Sequence, residues 1–123
     1  MRIALVDDCP NDLSITHQFL AEALDTDSVI TEFHNGEDFL QHWSADTFDL
    51  IVLDIYMGQV TGIEIARVIR ETDPNVCLVF ATTSNEFASE SYEVNACYYL
   101  CKPFLKQQVL AMLDRIGEQI LVG

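Results

Sequence analysis

The sequence predicts an α/β domain built as a doubly wound, five-stranded parallel sheet with helices on both faces. Three observations carry that expectation. Short apolar segments alternate five times with segments of helical periodicity, and parallel strands need such crossovers. The central segment, Leu50-Ile51-Val52-Leu53, is apolar at every position, as a strand covered on both faces must be. The chain has 123 residues, half of them hydrophobic, which suits one domain with a real core.

Arg2 to Val6 reads as the first strand, broken by Asp7-Asp8-Cys9-Pro10. Pro10 suits the first turn of a helix, and Asn11 or Asp12 suits its positive end. Leu13, Thr16, Leu20 and Leu24, with Phe19 and Ala23 beside them, then recur at helical spacing. Ser28 to Phe33 is a second strand, partly β-branched. Asn35-Gly36 reads as a turn, and Phe39, Leu40 and Trp43 mark a short second helix.

The central strand ends at Asp54 and gives way to a loop with two glycines, Gly58 and Gly62. Ile63, Ala66 and Ile69 carry a third helix, stopped by Asp73-Pro74. Val76 to Ala81 is the fourth strand, followed by the polar cluster Thr82-Thr83-Ser84-Asn85. Phe87 to Val94 forms a short fourth helix and Ala96 to Cys101 the fifth strand, ended by Lys102-Pro103. Val109, Leu113, Ile116 and Ile120 mark the last helix, a stripe read as core. Residues 1–123 thus read as a single domain, without internal repeat or linker.

Twenty acidic residues against six Lys and Arg give a net charge of −14. Such a surface repels phosphate backbones, so direct nucleic-acid binding by this segment is not expected. No apolar run approaches the ~18 residues of a membrane span, and the N-terminus lacks a secretory pattern. A cytoplasmic location without membrane contact is the expectation. Cys9, Cys77, Cys97 and Cys101 show neither a C-x-x-C pair nor zinc-site spacing. They read as buried reduced thiols, with a redox role as the second reading. His17, His34 and His42 are scattered and suggest no ligand set.

The polar residues of interest share one placement. Asp7 and Asp8 follow strand one, Asp54 ends strand three, Thr82 follows strand four and Lys102 follows strand five. In a doubly wound sheet these are carboxyl ends on one edge, converging at the switch point between strands one and three. Carboxylates ~4 Å apart repel by about 4 kcal/mol at an effective dielectric near 20. Three carboxylates and one ammonium fall two charges short of neutrality, which one divalent cation supplies. All-oxygen ligation by few carboxylates suits Mg²⁺, with Mn²⁺ as the alternative.

With these residues assembled, the chain resembles the receiver domain of two-component response regulators. The resemblance rests on Asp7-Asp8, Leu50 to Asp54, the loop from Met57 to Gly62, Thr82, and Tyr99-Leu100-Cys101-Lys102-Pro103-Phe104. The segments Phe80-x-Thr82 and Tyr99 to Phe104 are most similar to receivers of LytTR-class, DNA-binding regulators. The resemblance implies a flavodoxin-like receiver fold of strand order 2-1-3-4-5. It implies that Asp54 takes a phosphoryl group from a sensor histidine kinase. Asp7, Asp8, Asp54 and the backbone carbonyl of Tyr56 would hold Mg²⁺, while Thr82 and Lys102 donate to phosphoryl oxygens. Tyr99, with Thr82, would act as the switch, reshaping the face of helix four, strand five and helix five. A cis Lys102-Pro103 peptide is expected as well.

Tyr56, Thr83 and Ser84 are expected to tune the pocket. Gly58 departs from the family's common proline, and Thr83 from its usual Ala or Gly. The chain is expected to be the regulatory part of a transcription regulator whose output domain lies outside it. A homodimer formed on phosphorylation belongs to the same expectation. The rival readings are a stand-alone receiver working through a target protein, and a metal-dependent phosphatase. The latter is disfavoured because Tyr56 stands where such an enzyme needs a second acid. The expected protein is therefore no enzyme beyond catalysing its own phosphorylation and dephosphorylation.

Overall fold

The computed structural model describes residues 1–58, 60–83 and 86–122, with side chains as far as residue 117. Among the described residues, five strands form one all-parallel sheet. They are β1 (Arg2–Val6), β2 (Val29–Phe33), β3 (Leu50–Leu53), β4 (Cys77–Thr82) and β5 (Tyr98–Cys101), ordered β2-β1-β3-β4-β5. The helices between them are α1 (Pro10–Ala23), α2 (Gly36–His42), α3 (Gly62–Thr72) and α4 (Ala88–Glu93), with α5 (Lys106–Val122) closing the chain. The order reverses between β1 and β3, which opens a crevice at their carboxyl ends.

Alternation along each strand divides the apolar residues between two cores. Ile3, Leu5, Leu50, Val52 and Val79 face Leu13 and Leu20 of α1 and Val109, Met112 and Ile116 of α5. Ala4, Val6, Ile51, Leu53 and Phe80 face Phe39 of α2 and Ile65, Ala66 and Ile69 of α3. β3 and β4 are buried at every position because they lie between both layers. β2 at the edge buries only Phe33.

The departures from expectation are local. Asn35 caps α2, accepting from the Asp38 amide at 2.7 Å, so the expected turn is a helix start. Thr82 is the last residue of β4 and pairs with Cys101 instead of following the strand. Cys97 sits just ahead of β5. Met112 joins the buried stripe of α5 where Leu113 was expected, and the Ile120 side chain lies outside the described residues. Gly58 has φ 77°, a backbone angle that proline's ring forbids, which accounts for its absence here.

One contact fixes the loop after β3. Thr61 caps α3, and the Gly62 amide donates to the Ile55 carbonyl at 2.9 Å. A Cβ on Gly62 would stand 2.2 Å from the carbonyl oxygen of Asp54, so α3 approaches the backbone of Asp54 as only glycine permits. Gly62→Ala is expected to destabilise the fold by about 1–3 kcal/mol through overpacking against backbone. Gly36→Ala should cost less, since its nearest obstacle is the flexible end of Ile65 at 2.6 Å. Denaturant midpoints of the two variants check this, and equal losses would contradict it.

Candidate functional site

The sheet's own ladder delivers the site residues. The Asp54 amide donates to the Val6 carbonyl at 2.9 Å, carrying β3 one residue further along β1. The Lys102 amide donates to the Thr82 carbonyl at 2.7 Å and does the same for β5 along β4. The Asp7 amide is held by the Phe33 carbonyl at 3.1 Å. Residues distant in sequence thus reach one edge with their backbones already paired.

There the Lys102 ammonium lies 2.6 Å from Asp7 Oδ2, 3.0 Å from Asp12 Oδ2 and 3.3 Å from Asp54 Oδ2. Its three N–H donors match three carboxylates. Asp7 and Asp54 are buried, and Asp7 Oδ1 also accepts from the Cys9 amide at 2.9 Å. Asp8 is exposed, yet Asp7, Asp8 and Asp54 each offer an oxygen within 4.8 Å of the others. Asp12 was expected only to complement the positive end of α1. The structure brings it onto Lys102, so three carboxylates surround one ammonium, with Asp8 beside two of them. The first turn of α1 directly follows the β1 edge, and Asp12's place in that turn is the signal that identifies it.

The charges respond to this crowding. Burial pushes the Asp54 carboxyl up to about 6, with Lys102 pulling it back down and Asp7 adding to the rise. Burial works to lower the Lys102 value, but hydrogen bonds to Asp7 and Asp12 and the charges of Asp54 and Asp7 hold it above the ordinary lysine range. The pocket is strongly negative and fixes one cation firmly. It is built of hard oxygen donors alone, which is the chemistry of a Mg²⁺ or Ca²⁺ site.

The remaining expected residues surround this cluster. Thr82 is fully buried and its hydroxyl has no partner among the described residues. An orphaned buried hydroxyl costs roughly 1–3 kcal/mol. Tyr56 is half-exposed, its ring standing edge-on to Phe87 at 5.5 Å and its hydroxyl donating to Glu86. Its amide reaches Asp54 Oδ1 at 3.4 Å. Tyr99 is half-buried against Phe80, with ring centroids 6.2 Å apart, and burial raises its hydroxyl above the usual tyrosine value. Glu86 and Phe87, which join Tyr56 to the approach to α4, carried no signal in the sequence reading. Thr83 is exposed on the rim of a groove of about 250 Å³, shared with Asp12, Ile15, Lys102, Pro103 and Phe104. Ser84 lies outside the described residues. The Lys102-Pro103 peptide is cis.

Comparison with known proteins agrees with this geometry. A family model described as "Response regulator receiver domain" matches residues 3–114. The chain is 34% identical over 119 residues to the sensory transduction protein LytR of Staphylococcus epidermidis, covering 94% of this chain and 46% of LytR. It therefore spans a little under half the length of that relative. Its fold is similar to the response regulatory domain of mrkE from Klebsiella pneumoniae, at TM-score 0.87, 25% identity and 100% coverage of both chains. It is also similar to the response regulator TrrA from Thermotoga maritima, solved in complex with Mg²⁺-BeF, at TM-score 0.80 and 27% identity. That match covers 96% of this chain and 97% of TrrA.

The raised Asp54 value has a stability consequence of definite sign. An unfolded Asp titrates near ~3.9, so the ionised native side chain costs stability above pH 6 and nothing once protonated in both states. In metal-free buffer, Asp54→Asn is expected to raise Tm at pH 7.5 by roughly 4 °C. The gain should shrink as the pH falls from 6 toward 4. Thermal scans at the three pH values check this, and a loss of Tm at pH 7.5 would contradict it.

Proposed function

The chain belongs to the response regulator receiver family, and from that premise we propose that Asp54 is its phosphoacceptor and Lys102 and Thr82 its phosphoryl-binding donors. A receiver domain is a signalling switch of two-component systems, not a classical enzyme. The observation that carries the assignment is the buried Lys102 ammonium touching Asp54 while the buried Thr82 hydroxyl has no acceptor among the described residues. Two donors thus stand at the sheet edge that carries Asp54, and one of them is unsatisfied.

Asp7, Asp8 and Asp54 fit Mg²⁺ by their spacing and oxygen chemistry, with the Tyr56 backbone carbonyl as a further ligand. The match to TrrA, solved with Mg²⁺-BeF, supports that choice, and Mn²⁺ shares the same donor preference. When bound, the ion supplies charge neutralisation and a seat for a phosphoryl oxygen. In the transfer, an Asp54 carboxylate oxygen forms a bond to phosphorus in line with the P–N bond that breaks, and the donor histidine leaves. Lys102 passes from the Asp54 oxygen to a phosphoryl oxygen. The acceptor's charge goes from −1 to about −2, which strengthens the pull on both donors. The Thr82 hydroxyl gains the partner it lacks, and Tyr99, two residues along β5 from Cys101, moves with it. Two arrangements of the α4, β5 and α5 face follow, biased by the phosphoryl group. Tyr56, whose amide reaches Asp54, and Thr83, on the groove shared with Lys102, set how quickly water removes that group, and Ser84 keeps the same expected role.

The donor is a sensor histidine kinase. Beside the pocket, the groove between α1 and the segment after β5 is lined by Ile15 and Phe104, and the adjoining Leu105 is exposed, together an apolar seat for a partner that must bring its histidine to Asp54. LytR is more than twice as long as this chain, which supports an attached DNA-binding output domain regulated by this receiver. Nucleic-acid contact then belongs to the output domain, and phosphorylation favours a homodimer. No helix among the described residues is long and apolar enough to cross a membrane. A cytoplasmic site of action follows from the proposed kinase and DNA-binding partners.

Incubation with acetyl phosphate and Mg²⁺ is expected to add one phosphoryl group by intact mass in the wild type and none in Asp54→Ala or with excess chelator. Phosphorylation of Asp54→Ala would overturn the assignment, and steady release of phosphate without a labelled protein would favour a phosphatase. Leu105→Asp is expected to slow transfer from the cognate kinase roughly tenfold while leaving acetyl phosphate labelling unchanged. Equal slowing with both donors would remove the docking role.

A further inference from the structure

Two cysteines on the opposite side of the sheet's centre from the acidic pocket form a pair that the signalling reaction does not use. Cys77 opens β4, and Cys97 precedes β5 with its amide donating to the Leu78 carbonyl at 2.7 Å. Continuing the β4–β5 register sets Cys97 opposite Leu78, next to Cys77, and both cysteines pack in the same apolar layer. Cys77 is buried in the core beside Val79 and Leu100. Cys97, half-buried, lines a polar groove of about 560 Å³ together with Arg70, Ser91, Tyr92 and Arg115. The inner thiol is sealed and the outer one is reachable from solvent.

The surroundings of Cys97 favour its thiolate. The hydrogen bond from Cys77 lowers its value, burial opposes, and a backbone hydrogen bond from Leu78 and the Arg70 charge lower it further, to about 7. The hydrogen bond to Cys97 and burial push the Cys77 thiol up. A low-lying, accessible thiol beside a cation with a second thiol at hand is the arrangement of a redox-reactive cysteine and its resolving partner.

We propose that Cys97 is a peroxide-reactive thiol and that Cys77 resolves it into an intramolecular disulfide joining β4 to the start of β5. The Cys97 thiolate attacks one peroxide oxygen, the O–O bond breaks, and Cys97 becomes a sulfenic acid while hydroxide leaves. The Cys77 sulfur then displaces the sulfenic hydroxyl, which departs with the Cys77 proton as water. Two thiols and one hydrogen peroxide thereby give one disulfide and two waters. The new bond restrains the connection from α4 to β5, whose Val94 and Asn95 carbonyls are already held by Arg70 at 2.7 and 3.1 Å. Oxidation is thus a second input to the same face, and its chemistry does not depend on phosphorylation of Asp54.

The test uses the reduced 123-residue chain treated with one equivalent of hydrogen peroxide and then alkylated under denaturing conditions. The expected product has lost two hydrogens, takes two alkyl groups instead of four, and yields a cross-linked peptide joining Cys77 to Cys97. Cys77→Ser should form no intramolecular link and instead accumulate a dione-trappable sulfenic acid at Cys97. Cys97→Ser should show neither product. Amide exchange across residues 95–98 should slow several-fold in oxidised wild type and remain unchanged in peroxide-treated Cys77→Ser. Four alkylated cysteines after treatment, or a disulfide through Cys9 or Cys101, would overturn the proposal.

Discussion

A single ammonium group holds together carboxylates from three separate elements. Lys102 at the end of β5 touches Asp7 after β1, Asp12 in the first turn of α1 and Asp54 after β3. Removing it would leave buried acids facing one another without compensation, a far larger penalty than any surface ion pair. The rest of the architecture serves that meeting. Parallel strands put all their carboxyl ends on one edge, the order reversal opens space there, and helices on both faces keep the flanking strands dry enough for charge to matter.

Much of this could be read in the sequence because the signals were local and redundant. Five apolar runs separated by helical periodicity leave few alternatives to a doubly wound sheet. The unbroken apolar run before Asp54 marked the central strand without help from any other residue. What escaped depended on side-chain reach or on the backbone's path. Asp12 looked like an ordinary acidic residue at a helix start, and only the direction of α1 over the edge takes it to Lys102. Thr82 reads as the start of a polar loop, but the ladder continues through its carbonyl to Lys102, so its hydroxyl is buried where a loop's would be wet. Asn35-Gly36 has the composition of a turn and the geometry of a cap, since both use the same asparagine oxygen. All four cysteines read as buried thiols, whereas Cys97 stands half-buried outside β5 and Cys101 is exposed.

The family match and the physical reading answer different questions. Membership fixes the class of protein, and similar structures at 25–27% identity show that the same sheet tolerates wide sequence change. Neither explains why the loop after β3 turns through Gly58, or why a tyrosine two residues past Asp54 is tied to Glu86. Those features belong to this chain, and they follow from a left-handed backbone angle and from an aromatic contact with Phe87.

The glycine at the head of α3 has a further implication. Pressed against the peptide of Asp54, the third helix leaves no space over the end of the third strand beneath the acceptor. Whatever displacement a bound group provokes has no freedom on that side. On the proposed reading it is released across the sheet, toward the fourth and fifth strands, where stand a buried hydroxyl without a partner among the described residues and a half-buried ring. The direction in which this domain can transmit a message is therefore set by the absence of one methyl group.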